Sequence, residues 1–196
     1  MIGISYSNLA TALAMQGRFD EAEAACRRSV AVCLGAHDEL HPHTGLAMTH
    51  LAIVLHQKSE YDSAEGWYRR AIGIQQQILD EEHPDLNTTR EGLATLLIDT
   101  GRGDEAEPIL LVAAEALKTS LPDDHWRHAA VRCRLGWCYA AQGREDEAKV
   151  LLRETRAAVL AIPNAWARAD VIKRCTGLYE SWGMPEEAAI YRAALD

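Results

Sequence analysis

The chain returns on itself every 42 residues. His41-Pro42 is matched one period later by His83-Pro84 and after another by His125. Leu9-Ala10, Leu51-Ala52 and Leu93-Ala94 mark a second recurring position, which Leu135 continues. Asp20, Ala22 and Glu23 become Asp62, Ala64 and Glu65, then Asp104, Ala106 and Glu107, and Asp146 and Ala148 follow. A fixed period of this length marks a supersecondary unit that cannot bury its apolar face alone and must stack on its neighbours, which is the signature of a solenoid. The period constrains architecture strongly and the ligand hardly at all.

Each period reads as two helices. Tyr6, Leu9, Ala10 and Leu13 recur at helical spacing and make one apolar face, and Gly17 ends that helix. Asp20-Glu21 opens the next helix with acids at its positive end. Ala22, Cys26, Ser29 and Cys33 form the face that packs back, with Ala22 small because two backbones approach there. Pro42 and Pro84 sit at the first position of a helix, where the missing N–H costs nothing. Ser59 stands where other repeats carry a turn glycine. Gly143 to Gly183 is two residues short of a full period. Pro185 opens a short last helix that mixes Ala188, Tyr191 and Leu195 with Glu186, Glu187 and Arg192, as a solenoid end requires. The expectation is an all-α solenoid of about five antiparallel helix pairs in a single domain, residues 1–196, with repeats near 1–40, 41–82, 83–124, 125–164 and 165–196. At the other end, Ile2, Ile4 and Tyr6 lack a preceding helix to face. The expectation is that the array is the C-terminal part of a longer one, with self-association through this end as the alternative.

At 48% hydrophobic and 25% charged residues, the chain should fold rather than stay disordered. No N-terminal targeting signal and no membrane-length apolar run is visible, so a cytoplasmic protein without membrane contact is expected. The formal charge of -9 is uneven. Residues 1–126 hold 9 Lys and Arg against 20 Asp and Glu, and residues 127–196 hold 11 against 9. An acidic front lacks the basic stripe that phosphate binding needs, which argues against nucleic acid as a partner. The five cysteines follow no disulfide or metal spacing and are expected to be reduced. Cys26 and Cys33 share one helix face, whereas Cys133 and Cys138 do not.

The elements Asn8-Leu9-Ala10, Gly17-Arg18-Phe19-Asp20-Glu21-Ala22-Glu23, Tyr68-Arg69-Arg70-Ala71 and His83-Pro84-Asp85 resemble tetratricopeptide repeats of the kinesin light chain type, over nearly the whole chain. The resemblance implies a right-handed superhelix whose first helices line a concave face, and protein or peptide binding without catalysis. His125-Trp126, Leu135-Gly136, Gly143-Arg144, Leu178 to Gly183 and Ala188 to Arg192 resemble the closing repeats of arrays that follow bacterial serine/threonine kinase domains. That implies an alternative, a regulatory or sensory segment of a larger bacterial signalling protein. The chain has no kinase glycine loop, catalytic loop or DFG, so no kinase activity carries over.

If the resemblance holds, register places Asn8, Thr11, His50, Ile53, His56, Thr95, Arg134, Trp137, Lys173 and Arg174 on the binding face. Arg134, Lys173 and Arg174 near Trp137 suit an acidic or carboxylate-bearing peptide, because arginine and tryptophan dominate binding hot spots and grip carboxylates by charge-assisted bonds. The competing reading is that these cations neutralise Asp170 and Glu180. Some tetratricopeptide domains clamp a peptide C-terminus with a Lys/Asn/Asn/Lys/Arg set, and Gly92, Ala130 and Asp170 break that pattern. His37, His41 and His43 beside Asp38 and Glu39 invite a metal reading. However, His41, His83 and His125 share one repeat position, so they should serve the repeat by packing or capping, and no metal or other cofactor is expected. Arg102-Gly103-Asp104 is the repeat's turn rather than an adhesion tripeptide. No nucleophile, base and acid share a register, and no enzymatic activity is expected.

Overall fold

The computed structural model describes residues 2–36, 40–163 and 165–194, with the side chains of Ile2, Ile4 and residues 165–167 also outside the description. The expectations for His37, Asp38, Glu39 and Leu195, and for what Ile2 and Ile4 face, therefore fall outside the described residues. Those described form ten helices and no strand: α1 (Ile2–Met15), α2 (Phe19–Ala36), α3 (Pro42–Gln57), α4 (Tyr61–Ile78), α5 (Pro84–Asp99), α6 (Gly103–Ser120), α7 (Trp126–Ala141), α8 (Glu145–Leu160), α9 (Ala165–Ser181) and α10 (Pro185–Arg192).

Helix starts follow the sequence signals. Prolines open α3, α5 and α10, and acids occupy the first turn of α2, α4, α6, α8 and α10. The recurring histidine is a helix cap. His41 Nδ1 accepts the His43 N–H at 3.1 Å, His83 Nδ1 accepts that of Asp85 at 3.2 Å, and His125 Nδ1 accepts that of Arg127 at 3.2 Å. The imidazole satisfies an orphan N–H of the first turn, the task a Ser or Asp side chain usually performs. Accepting through Nδ1 places the proton of the neutral ring on Nε2.

The turns between paired helices need a left-handed residue. Gly17, Gly101, Gly143 and Gly183 have φ of 74°, 75°, 77° and 68°, and Ser59 takes the same place at 62°. A side chain in this region costs about 1–2 kcal/mol. Ser59→Gly is therefore expected to stabilise the protein by about 0.5–1 kcal/mol, after the added unfolded-state entropy of glycine is deducted. Urea unfolding would read this as a higher midpoint at constant slope. A lower midpoint would mean that the 3.4 Å contact from the Tyr61 hydroxyl to Ser59 Oγ holds the turn instead.

The chain folds as two compact units, Met1–Leu96 and Leu97–Asp196. In the first, α1 packs on α2, α3 on α4, and α2 and α1 both touch α3. Its core includes Ala10, Leu13, Cys26, Met48, Leu51, Leu55, Tyr68 and Leu86. Lys58, just after α3, bonds Glu23 at 2.6 Å, Asp20 at 2.8 Å and Glu60 at 2.9 Å. Hydrogen bonds to Asp20, then Glu23 and Glu60, hold its ammonium pKa well above the ordinary lysine value. Leu9 departs from its expected place in the core. It is 48% exposed, whereas Leu51, Leu93 and Leu135 at the same repeat position are buried. In the first unit α2 packs on α3, and in the second α6 packs on α7; among the described residues no helix precedes α1 to cover Leu9 in that way.

In the second unit α6 packs on α7, α7 on α8, α8 on α9 and α9 on α10. Cys133, Trp137, Leu152, Val159, Ile172, Cys175, Tyr179 and Tyr191 make one continuous apolar cluster. The Arg144 guanidinium lies 3.8 Å from the Tyr139 ring centroid and pairs with Glu147 at 2.7 Å and Glu107 at 3.1 Å. The repeat alanines Ala22, Ala64, Ala106, Ala148 and Ala188 are all fully buried, as close backbone approach requires. Among the described residues no helix is long and apolar enough to cross a membrane, and no three His, Cys, Asp or Glu side chains converge as metal ligands.

Candidate functional site

The residues selected by register separate between the two units. In the first, Asn8 and Thr11 are exposed on α1, while His50, Ile53 and His56 are half-buried along α3. The Thr11 hydroxyl donates to the Ser7 carbonyl at 3.1 Å. His56 makes edge contacts to Tyr61 and Tyr68 at 5.8 and 6.5 Å. Thr95 on α5 is buried and donates to the Glu91 carbonyl at 2.8 Å, so its hydroxyl is spent within its own helix.

A cavity of about 50 Å³ opens among the first three helices. Ser7 and Asn8 of α1, Ser29 and Cys33 of α2, and His43 and His50 of α3 line it. Ser29 Oγ donates to the Gly3 carbonyl at 2.8 Å and lies 3.0 Å from Ser7 Oγ. Burial lowers the His50 pKa, only partly opposed by Asp85, so the ring is neutral at pH 7. Its Nδ1 has no hydrogen bond within the protein.

The second unit brings three of its four selected residues together. Trp137 on α7 is 3% exposed, wedged into the apolar cluster. The Arg134 guanidinium lies 5.9 Å from its ring centroid and that of Arg174, from α9, 5.3 Å. Both are within cation–π range. Arg134 and Trp137 are neighbours because they are three residues apart on one helix. Arg174 is held from the other side by both carboxylate oxygens of Asp99, at 2.9 Å to Oδ2, and by Asp170 at 3.4 Å. Burial opposes the Arg174 charge, but Asp99 and Asp170 outweigh it and keep its pKa above the ordinary arginine value. Lys173 is exposed beside this group on α9. Three cations thus face two acids, leaving an excess of one positive charge around a tryptophan.

Sequence reasoning anticipated Asp170 and missed Asp99. Asp99 lies 75 residues from Arg174, and no local pattern connects the last turn of α5 with α9. The arrangement can offer guanidinium N–H donors and a cationic rim to a carboxylate. Among the described residues it holds no nucleophile beside a base. The thiols beneath it, Cys133 and Cys175, are fully buried.

A family model described as tetratricopeptide repeat matches residues 1–77 and 85–161. A kinesin light chain protein of Podosopora anserina with nearly identical TPR-like repeats superposes with a TM-score of 0.73 at 22% identity, over 97% of this chain and 91% of that one. BtubC (BKLC) from P. vanneervenii gives 0.73 at 21% identity, over 99% and 82%. A Rap protein complexed with Competence and Sporulation Factor gives 0.79 at 16% identity, over 97% of this chain and 51% of the Rap chain. None of the curated proteins matches the chain at a significant level. The chain belongs to the tetratricopeptide repeat family, and its fold is that of the kinesin light chain-like members.

Proposed function

We propose that this chain is a non-catalytic interaction module that holds a protein or peptide segment on the face formed by its first-of-pair helices. In the second unit the segment presents a carboxylate to Arg134, Arg174 and Lys173 and an apolar edge to Trp137. The observation that carries this reading is the pair of guanidinium groups over one largely buried indole, with a net positive charge in an otherwise acidic chain. Held between Asp99 and Trp137, the Arg174 fork loses less freedom on binding than an unanchored arginine. In the first unit the cavity beside Asn8 and His50 is a second point of contact, suited by its neutral imidazole to a small uncharged side chain. The Rap neighbour, whose structure holds a bound factor, supports the same use of the fold. The reading includes a cytoplasmic location, and self-association through the α1 end bearing exposed Leu9.

The test is affinity capture from source-cell lysate with this chain beside its Arg134→Glu/Lys173→Glu/Arg174→Glu variant, followed by titration of the retained protein. The variant is expected to bind at least about tenfold more weakly, with the parent's affinity falling as salt rises. Lys173→Glu alone, a change at an exposed side chain, separates lost binding from lost folding and should weaken binding severalfold. Equal retention by the parent and both variants would move the site off α7 and α9.

A further inference from the structure

We propose that Cys133 and Cys175 are a redox-active dithiol that closes to a disulfide and ties α7 to α9. Their sulfurs are 3.5 Å apart, and both residues are fully buried in the second unit's core. One period of 42 residues separates them in sequence, so the repeat itself sets the two thiols on neighbouring helices. A disulfide needs the sulfurs about 2.05 Å apart, a closure of about 1.5 Å that lies within reach of side-chain torsions. The other cysteines have no such neighbour. Cys26 and Cys33 are seven residues apart on α2, about 10 Å along the helix axis, and Cys138 Sγ donates to the Gly103 carbonyl at 3.1 Å.

The two sulfurs differ in character. The Cys133 S–H donates to the Cys175 sulfur and holds the Cys175 pKa below the ordinary thiol value, while burial pushes that of Cys133 up. Cys175 is therefore the nucleophile. Its thiolate attacks one oxygen of a peroxide; the O–O bond breaks, and the departing hydroxide takes a proton and leaves as water. The product is a Cys175 sulfenic acid. The Cys133 sulfur then attacks the Cys175 sulfur; the S–S bond forms, the S–O bond breaks, and a second water leaves with the Cys133 proton. Two thiols lose two electrons, and hydrogen peroxide takes them to become two waters. Because both sulfurs are enclosed, reaction proceeds through local opening and is slower than at an exposed thiol. The cross-link constrains the unfolded chain and stabilises the oxidised form. Arg134 and Arg174 each follow or precede one of these cysteines directly, so oxidation also fixes the turns that carry them, whatever they bind.

The experiment treats the purified full chain with hydrogen peroxide, unfolds it in N-ethylmaleimide, and maps it by non-reducing tryptic mass spectrometry. Cleavage releases Cys133-Arg134 and Cys175 to Arg192, and the expected product is these two peptides joined, about 2 Da below their sum, since the bond forms with loss of two hydrogens. Cys26, Cys33 and Cys138 should carry the alkyl group, and the melting temperature should rise by about 5 °C or more until dithiothreitol is added. Cys133→Ser and Cys175→Ser should each abolish the product, while Cys138→Ala keeps it. Full alkylation of all five thiols, a cross-link involving another cysteine, or over-oxidation of Cys175 without a cross-link would each overturn the proposal.

Discussion

Tyr191→Ala is expected to cost about 3–5 kcal/mol of folding stability, the largest effect of any single truncation in the second unit. Tyr191 is fully buried although it lies on an eight-residue helix near the chain's end. Its ring stacks on Tyr179 at 5.7 Å and 26°, and its hydroxyl donates to the Leu152 carbonyl at 3.0 Å. Burial holds the phenol pKa well above the ordinary tyrosine value, so the group stays a neutral donor at any ordinary pH. Too short to be stable alone, α10 persists because Ala188 and Tyr191 anchor it on α8 and α9. Removing the ring leaves a cavity against Leu152 and Tyr179. Tyr191→Phe should cost only about 1 kcal/mol, since it deletes the hydroxyl and leaves the Leu152 carbonyl short of one partner. Urea unfolding would separate the two variants. Hydrogen exchange should show α9 and α10 losing protection together in Tyr191→Ala. A loss below about 1 kcal/mol for the alanine variant would mean that α10 does not hold the end of the array.

Much of this was legible because the period forces each position to meet the same surroundings. The histidines at 41, 83 and 125 show the logic: a residue that recurs with the repeat serves the repeat, and all three cap helices. Ser59 was legible as a turn residue for the same reason, and its positive φ shows the backbone dictating conformation even where glycine is missing. Where the period is the wrong guide, the reading failed. Leu9 matches Leu51 in sequence but not in surroundings, since burial depends on the neighbouring helix and not on the residue. Spacing within a helix placed Cys133 and Cys138 on separate faces; the more informative comparison was between Cys133 and Cys175, one full period apart. Asp99 was beyond reach because charge pairing between helices leaves no local pattern. The partner is equally beyond it, since a stacked repeat fixes which face is presented and leaves the exposed side chains free to vary.

Gly92 shows how packing limits what that face can carry, and it gives the second large effect. Gly92 shares the register of His50, Arg134 and Arg174, where a clamp for a peptide terminus would need a polar side chain. A Cβ built there would meet the Tyr68 ring at 2.6 Å and its hydroxyl oxygen at 2.9 Å. Tyr68 is 1% exposed, held in the first unit's core, and cannot swing aside. Gly92→Ala is therefore expected to destabilise by about 1–3 kcal/mol through overpacking, although alanine favours a helix over glycine by about 1 kcal/mol. Tyr68→Ala alone should cost about 3–5 kcal/mol by opening a cavity. The two losses should not add. With the ring gone, the added methyl meets open space and the helix preference of alanine prevails, so Gly92→Ala should stabilise the Tyr68→Ala background by up to about 1 kcal/mol. A double-mutant cycle by urea unfolding reads this as a change of sign. Additive losses would show that something other than the Tyr68 ring keeps position 92 free of a side chain, and a polar residue could then be placed on the binding face there without remodelling α4.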